Sequence, residues 1–186
     1  MEGETRKGKS HRLSRGSPRG VLAGASLASG EKCATVIQAA HNTSGEPGKR
    51  AGDRKNGDGI DLRIGSVNVG TLRGRSDEVV DMARRRSIDF CCLQETRWKG
   101  KSARVIGGLY KLFWMGCEEG VAGVGIMVAQ QWIDHVFEVK RVNERMIMVR
   151  IMIGKAVVNI VSVYAPQVGR AKEEKEDFYA EFGKCC

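Results

Sequence analysis

The sequence predicts an α/β domain over residues 61–186, preceded by a disordered basic tail over residues 1–60. The tail contains no aromatic residue and 11 of the 24 glycines, so it cannot bury enough apolar area to offset its ordering entropy. Beyond residue 60, short apolar runs alternate with amphipathic stretches. This alternation is typical of strands and helices that pack in layers around one core.

A strand, a helix and a second strand are expected to open the domain. Residues 62–69 are β-rich and end at a Gly-Thr turn, which predicts a strand. Ser76 is a suitable helix N-cap, and Asp77 and Glu78 suit a first helical turn. The continuous apolar run over residues 88–94 then predicts a buried strand.

The middle of the domain is predicted to be rich in strands. They are expected over residues 109–115, 123–129, 136–140, 146–153 and 156–164. A Gly-Lys pair between the last two suits a two-residue hairpin, and the following proline ends the last strand. A final amphipathic helix is expected over residues 172–184, with Phe178, Tyr179 and Phe182 facing inward.

The formal net charge of +9 favours polyanionic partners, with nucleic acid ahead of an anionic membrane surface. No apolar run reaches the roughly 20 residues of a transmembrane helix, so no membrane span is expected. The basic tail is interpreted as a solvated segment, with phosphate contact or nuclear targeting as alternatives. Residues 21–28 resemble the core of a signal peptide but are short and broken by glycine. Residues 33–40 are compatible with a transient helix.

The six cysteines form no Cys-x-x-Cys pair, and no histidine lies at zinc-finger spacing, so a structural zinc site is not expected. Cys91 and Cys92 lie within an apolar run and are expected to be buried as small hydrophobic residues. This use of cysteine favours a reduced protein of the nucleus or cytoplasm.

Three polar residues, Asn68, Glu95 and Tyr164, each close a predicted apolar strand. Each residue alone would be interpreted as a cap or a turn residue. Ligands gather at strand ends in layered sheets, and three such ends can converge on one point. One carboxylate beside an amide suits Mg²⁺, which binds through one or two carboxylates and keeps several waters. A magnesium site is therefore expected there.

The segments that hold these residues are Ser-Val-Asn-Val-Gly-Thr-Leu at 66–72, Leu-Gln-Glu-Thr-Arg at 93–97 and Ser-Val-Tyr-Ala-Pro at 162–166. In order and spacing they resemble the endonuclease/exonuclease/phosphatase superfamily. The resemblance is strongest to endonucleases of non-long-terminal-repeat retrotransposons and their relatives of the craniofacial development protein 2 type. Gly-Val-Gly-Ile at 123–126 and Arg145 before its strand are also similar. The resemblance extends over about two-thirds of the chain.

The resemblance implies a four-layer α/β sandwich and a Mg²⁺-dependent DNA endonuclease, with Mn²⁺ as an alternative ion. Glu95 would hold the metal at the scissile phosphate. Asn68 would position the phosphate or the surroundings of the metal, and Tyr164 would contact the phosphate and stabilise its developing charge.

The segment after Glu95 contains Arg97, Trp98, Lys99 and Lys101. A basic loop with an aromatic residue suits contact with a nucleic-acid backbone. The alternative is a solvated turn with Trp98 packed beneath it. Both interpretations stay open at the level of the sequence.

Members of the superfamily carry a later Gly-Asp-x-Asn motif and a final Asp-His pair, and neither follows Tyr164 in this sequence. Asp134-His135 precedes Tyr164 and is interpreted as an ordinary turn or strand-edge pair. The resemblance thus implies an incomplete sandwich, mainly one sheet with its helices. Its open apolar face would lower solubility or require a partner protein that covers it.

A positioned general base contributes roughly 10²–10⁴-fold to a rate, and loss of phosphoryl charge stabilisation costs a comparable factor. The expected function is therefore that of a truncated endonuclease domain, weakly active or inactive as this chain, so enzymatic activity is left open. The alternatives are a non-catalytic nucleic-acid-binding protein and a phosphatase of the same fold.

Overall fold

The computed structural model describes residues 11–12, 21–28, 31–41 and 62–185 of the 186-residue chain, with side chains described over 62–184. In order, the elements are β1 (His11–Arg12), β2 (Val21–Ala28), β3 (Glu31–His41), β4 (Arg63–Asn68), α1 (Ser76–Arg85), β5 (Phe90–Gln94), β6 (Lys101–Ile106), β7 (Tyr110–Met115), β8 (Val124–Ala129), a 3₁₀ helix (Gln130–His135), β9 (Val136–Asn143), β10 (Met146–Ile153), β11 (Ala156–Tyr164) and α2 (Lys172–Cys185). Among the described helices, none is both long enough and apolar enough to cross a membrane.

The described strands form two sheets, so the predicted mixed α/β class is confirmed. The first sheet has the strand order β1-β4-β5-β8-β7-β6, and the second has the order β2-β3-β11-β10-β9. Neighbouring strands are antiparallel except for the parallel pair β4–β5, which α1 connects. Val79, Val80 and Ala83 of α1 are buried and belong to a core cluster on the outer side of the first sheet.

The two sheets pack against each other through apolar side chains. Phe90 and Ile126 of the first sheet lie in one core cluster with Ile147, Val149 and Ile160 of the second, and all five are fully buried. The expectation of mainly one sheet with an open inner face is therefore wrong for this chain. The reason is that the 3₁₀ helix after β8 redirects the chain, and β9 to β11 pair with one another instead of extending the first sheet.

Three strands, β1, β2 and β3, fall within the predicted disordered tail. β3 pairs with β11 from Cys33↔Tyr164 to Ala156↔His41, and β2 pairs with β3. Over these strands the structure differs from the predictions of disorder and of a transient helix. Without β3, this edge of β11 would present unpaired backbone N–H and C=O groups, which strand pairing satisfies. The other residues of 1–60 lie outside the described part of the chain.

Two details of the helices differ from prediction. Phe178 is buried and Phe182 is half-buried, but Tyr179 is 54% exposed, because one helical step rotates it away from the sheet. Ser76 does not cap α1. Arg75 holds the N-cap position without a side-chain cap bond, while its guanidinium pairs with Glu78.

Strand β6 was not predicted, since its first five residues are exposed or half-exposed and carry no apolar alternation. It pairs only with β7 among the described strands and lies at the edge of the first sheet. An edge strand needs little apolar burial, which explains why the hydrophobic pattern does not reveal it.

Candidate active site at three strand ends

The three residues predicted from strand ends come together in the structure. Asn68 ends β4, and Glu95 directly follows β5. These two strands are parallel, with Asn68 opposite Gln94, so their carboxyl ends meet at one edge of the first sheet. Tyr164 ends β11 of the second sheet, and the packing of the two sheets brings it to the same edge.

The Glu95 carboxylate is held by hydrogen bonds from both sheets. Asn68 Nδ2 donates to Glu95 Oε1 at 2.6 Å, and Tyr164 Oη donates to the same oxygen at 3.1 Å. Asn68 Oδ1 accepts from the backbone N–H of Gly70 at 2.9 Å, which fixes the orientation of the amide. Both side chains thus hold the Oε1 oxygen of the carboxylate.

Backbone geometry at the site is unusual. Glu95 and Arg97 adopt left-handed φ values of 58° and 54°. Such conformations cost non-glycine residues about 1–3 kcal/mol each and cluster at functional sites. The intervening Thr96 is anchored on both sides: its N–H donates to the carbonyl of Gly123, and its carbonyl accepts from Leu72. These bonds hold Glu95 in place despite the strain.

Among the described residues, Glu95 forms one ion pair within 4.0 Å. Arg97 Nη2 lies 3.4 Å from Glu95 Oε2. The Glu95 side chain is 12% exposed, whereas that of Arg97 is 48% exposed. An exposed arginine at this distance is a weak, screened partner of Oε2, and a cation of higher charge that binds there can displace it.

The donor set fits a magnesium ion that keeps most of its water. Within residues 62–184, no group of three or more His, Cys, Asp or Glu side chains is placed to hold a metal ion. Glu95 is the carboxylate that Asn68 and Tyr164 contact, and Mg²⁺ can bind through one carboxylate together with waters and substrate oxygens. Neither protein-family models nor curated protein sequences match this chain.

The predicted nucleic-acid-binding loop lies beside the site. Arg97, Lys99 and Lys101 are exposed, while Trp98 is half-buried. Trp98 packs edge-to-face on Trp114, with ring centroids 4.9 Å apart. Trp98 thus supports the loop from below, and the cationic side chains remain on the surface.

Three further arginines that the sequence did not assign to the site lie near it. Arg104 of β6 lies 4.2 Å from the centre of the Trp98 ring, and Arg73 Nε donates to the carbonyl of Arg97 at 3.1 Å. Arg145 lies 5.5 Å from the centre of the Tyr164 ring. Only the resemblance singled out Arg145, because a turn residue before a strand carries no chemical signal in the sequence.

Asp134 and His135 lie away from this site. They belong to the 3₁₀ helix after β8, and β8 runs antiparallel to β5, so the pair lies at the opposite end of β5 from Glu95. The His135 ring nitrogen Nδ1 is 3.0 Å from the carbonyl of Met152. The pair cannot complete the Glu95 site without refolding of the sheet.

Proposed function

We propose that the Asn68–Glu95–Tyr164 site binds Mg²⁺ and a DNA phosphodiester within a two-sheet α/β sandwich of the endonuclease/exonuclease/phosphatase type. The observation that carries this proposal is that Asn68 and Tyr164, which end strands in two different sheets, both donate to one oxygen of the Glu95 carboxylate. The sequence motifs around these residues add support, because the same three residues carry the resemblance to that superfamily.

Each residue has a role that its contacts support. The Glu95 carboxylate would hold Mg²⁺, and that ion, when bound, polarises a phosphoryl oxygen and neutralises charge. The Tyr164 hydroxyl and the Asn68 amide orient the carboxylate and lie within reach of an anion bound beside it. Arg97 adds positive charge at the mouth of the site.

The proposed activity of this chain is low. Of the described residues, Asn68, Tyr164 and Arg97 bond to the Glu95 carboxylate, and none of them is a histidine or a second carboxylate, the groups that most often serve as a general base. A positioned general base contributes roughly 10²–10⁴-fold to a rate. We therefore expect the chain to bind Mg²⁺ and DNA but to cleave DNA slowly.

Metal binding is the direct test. The full chain is titrated with Mn²⁺, a paramagnetic substitute for Mg²⁺, and binding is followed by water proton relaxation. Glu95→Gln removes the charge and is expected to weaken Mn²⁺ binding by at least about tenfold. Glu176→Gln makes the same charge change on an exposed position of α2 and is expected to have no effect. Equal affinity of Glu95→Gln and the unaltered chain would contradict the proposed site.

Cleavage is measured separately, by nicking of supercoiled plasmid DNA in Mg²⁺. The unaltered chain and Glu95→Gln are both expected to remain near background. Strong nicking that disappears in Glu95→Gln would keep the metal site but overturn the proposed low activity. Nicking that is equal in both proteins would indicate a contaminating nuclease.

A second candidate is a nucleic-acid-binding protein without catalysis, and the exposed cations around the loop favour it. Arg73, Arg97, Lys99 and Lys101 all lie on the surface near Glu95. Each phosphate contact adds about one unit to the slope of log affinity against log salt. Replacement of Lys99 and Lys101 by Ala should lower the slope by about two, whereas Lys140→Ala with Lys155→Ala should not. An unchanged slope in the first pair would remove this candidate.

A further inference from the structure

A second set of polar side chains lies one layer below the site residues. It consists of Ser66 on β4, Gln94 on β5 and Ser162 on β11, and we call it the Gln94 network. Ser66 and Ser162 each lie two residues before a site residue on the same strand, and Gln94 ends β5 directly before Glu95. The network therefore joins the same three strands as the site, in the interior between the two sheets.

Gln94 bridges the two sheets. Its Nε2 donates to Ser66 Oγ at 3.2 Å within the first sheet and to Ser162 Oγ at 3.3 Å in the second. Ser162 Oγ donates in turn to the carbonyl oxygen of Leu93 at 3.1 Å. Because the single hydroxyl proton of Ser162 is used there, Ser162 can only accept from Gln94, and this fixes the orientation of the amide.

The network is not explained by packing. Gln94 and Ser162 are fully buried, and Gln94 Oε1 has no hydrogen-bond partner among the described residues. A buried acceptor without a partner destabilises the fold, and an apolar side chain would avoid that cost. The apolar contacts between the sheets are non-directional, whereas the bonds of Gln94 specify one position of β11 relative to β5.

We propose that Gln94 is a positioning residue that sets the contact between Tyr164 Oη and Glu95 Oε1 by fixing β11 against β5. Tyr164 and Glu95 come from different sheets, so a small slide of one sheet over the other would break their hydrogen bond. Gln94 directly precedes Glu95, and Ser162 is two residues before Tyr164. The consequence for metal binding rests on the proposed function; the effect on this hydrogen bond does not.

The hydrogen bond is tested by double-mutant cycles in urea unfolding. Tyr164→Phe and Glu95→Ala, alone and together, give the coupling between the two side chains. We expect a coupling of about tenfold in the unfolding equilibrium constant. In a Gln94→Met background the coupling should fall below about twofold, because Met keeps the length of Gln but makes none of its hydrogen bonds. Undiminished coupling in Gln94→Met would overturn the proposal.

Two further variants make the result specific. Leu93→Met changes a fully buried neighbour on the same strand without touching a side chain of the network, and it should preserve the coupling. A loss of coupling in Leu93→Met as large as in Gln94→Met would overturn the proposal in favour of general loosening. If Gln94→Met does not fold, Ser162→Ala removes the bridge to the second sheet and should reduce the coupling in the same way. Unchanged coupling in Ser162→Ala would also overturn it.

Mn²⁺ binding provides a second test of the role of Gln94, and this test depends on the proposed function. Gln94→Met and Tyr164→Phe should weaken Mn²⁺ binding by similar factors, and the double variant should be no weaker than either single variant. If Glu95→Ala leaves Mn²⁺ binding unchanged, the proposed function fails while the unfolding cycles still decide the role of Gln94. If the two factors multiply in the double variant, Gln94 does not act through Tyr164.

Discussion

Tyr164 and Glu95 are 69 residues apart and belong to different sheets, yet the Tyr164 hydroxyl donates a hydrogen bond of 3.1 Å to Glu95 Oε1. The contact exists only when β5 and β11 end at the same edge of the packed sheets. Its geometry therefore reports the relative position of the two sheets, and substitutions that move either sheet are expected to change it.

The Asn68→Asp substitution adds a negative charge beside Glu95 and so tests whether a cation binds there. The new carboxylate can still accept from the N–H of Gly70 but would face Glu95 Oε1, to which Asn68 now donates at 2.6 Å. Without metal, loss of this bond and like-charge repulsion should lower the free energy of unfolding by about 1.5–3 kcal/mol. Mg²⁺ should restore most of that loss, because a divalent cation can bind two carboxylates. Thermal unfolding in EDTA and in Mg²⁺ measures both effects.

The matched control is Asn159→Asp. Asn159 Oδ1 accepts from the Arg150 guanidinium at 3.1 Å, so a carboxylate there has a cation partner. We expect little change in stability and no dependence on Mg²⁺. Equal Mg²⁺ dependence of the two variants would argue against a cation site at Asn68 and Glu95.

Gly116→Ala tests the support of the basic loop. A Cβ at Gly116 would overlap the carbonyl oxygen of Trp98, whereas one at Gly169 meets open space. Gly116→Ala should lower the free energy of unfolding by about 1–3 kcal/mol, and Gly169→Ala should change it by less than about 0.5 kcal/mol. Hydrogen exchange should show faster exchange over residues 97–101 in Gly116→Ala alone. Unchanged exchange there would contradict the close contact.

Phe178→Ala tests the docking of α2 on the second sheet. Phe178 is 6% exposed and packs with Met146, Met148 and Val161. Its truncation should destabilise the packed helix by about 3 kcal/mol, because a buried phenyl group is lost and a cavity remains. Hydrogen exchange should show loss of protection in α2 before β10 and β11. Tyr179→Ala, at an exposed position, should leave α2 protection nearly unchanged; equal effects would contradict the observed helix face.

Cys91 is expected to resist alkylation. Burial, followed by the neighbouring Cys92, raises the pKa of the Cys91 thiol, so the reactive thiolate is scarce at pH 8. Cys117 is half-buried on the chain that precedes β8. Iodoacetamide should modify Cys91 at least about tenfold more slowly than Cys117, and urea should abolish the difference. Peptide mapping by mass spectrometry measures this, and similar native rates would contradict the buried position.

Local sequence signals predicted much of the fold. β10 and β11 occur at the predicted residues because their apolar runs flank a Gly-Lys pair that suits a tight hairpin. The strand ends at Asn68 and Tyr164 and the position of Glu95 just after β5 were predicted for the same reason. Turn residues directly after apolar runs mark where strands stop.

Other features lacked a local signal. β6 has an exposed, charged pattern, and its strand conformation depends on pairing with β7. The exposure of Tyr179 depends on how α2 rotates about Phe178. The pairing of β3 with β11 joins segments more than 100 residues apart, and periodicity within either segment does not predict such a contact.

The sequence by itself determined which residues end strands and which carry chemical groups: the amide of Asn68, the carboxylate of Glu95 and the phenol of Tyr164. Only the tertiary structure decided that the three meet on one oxygen, and that Gln94 links the strands beneath them. The physical reason is that strand identity follows from local periodicity and turn chemistry. The distance between two sheets depends instead on the packing of the side chains that fill the space between them.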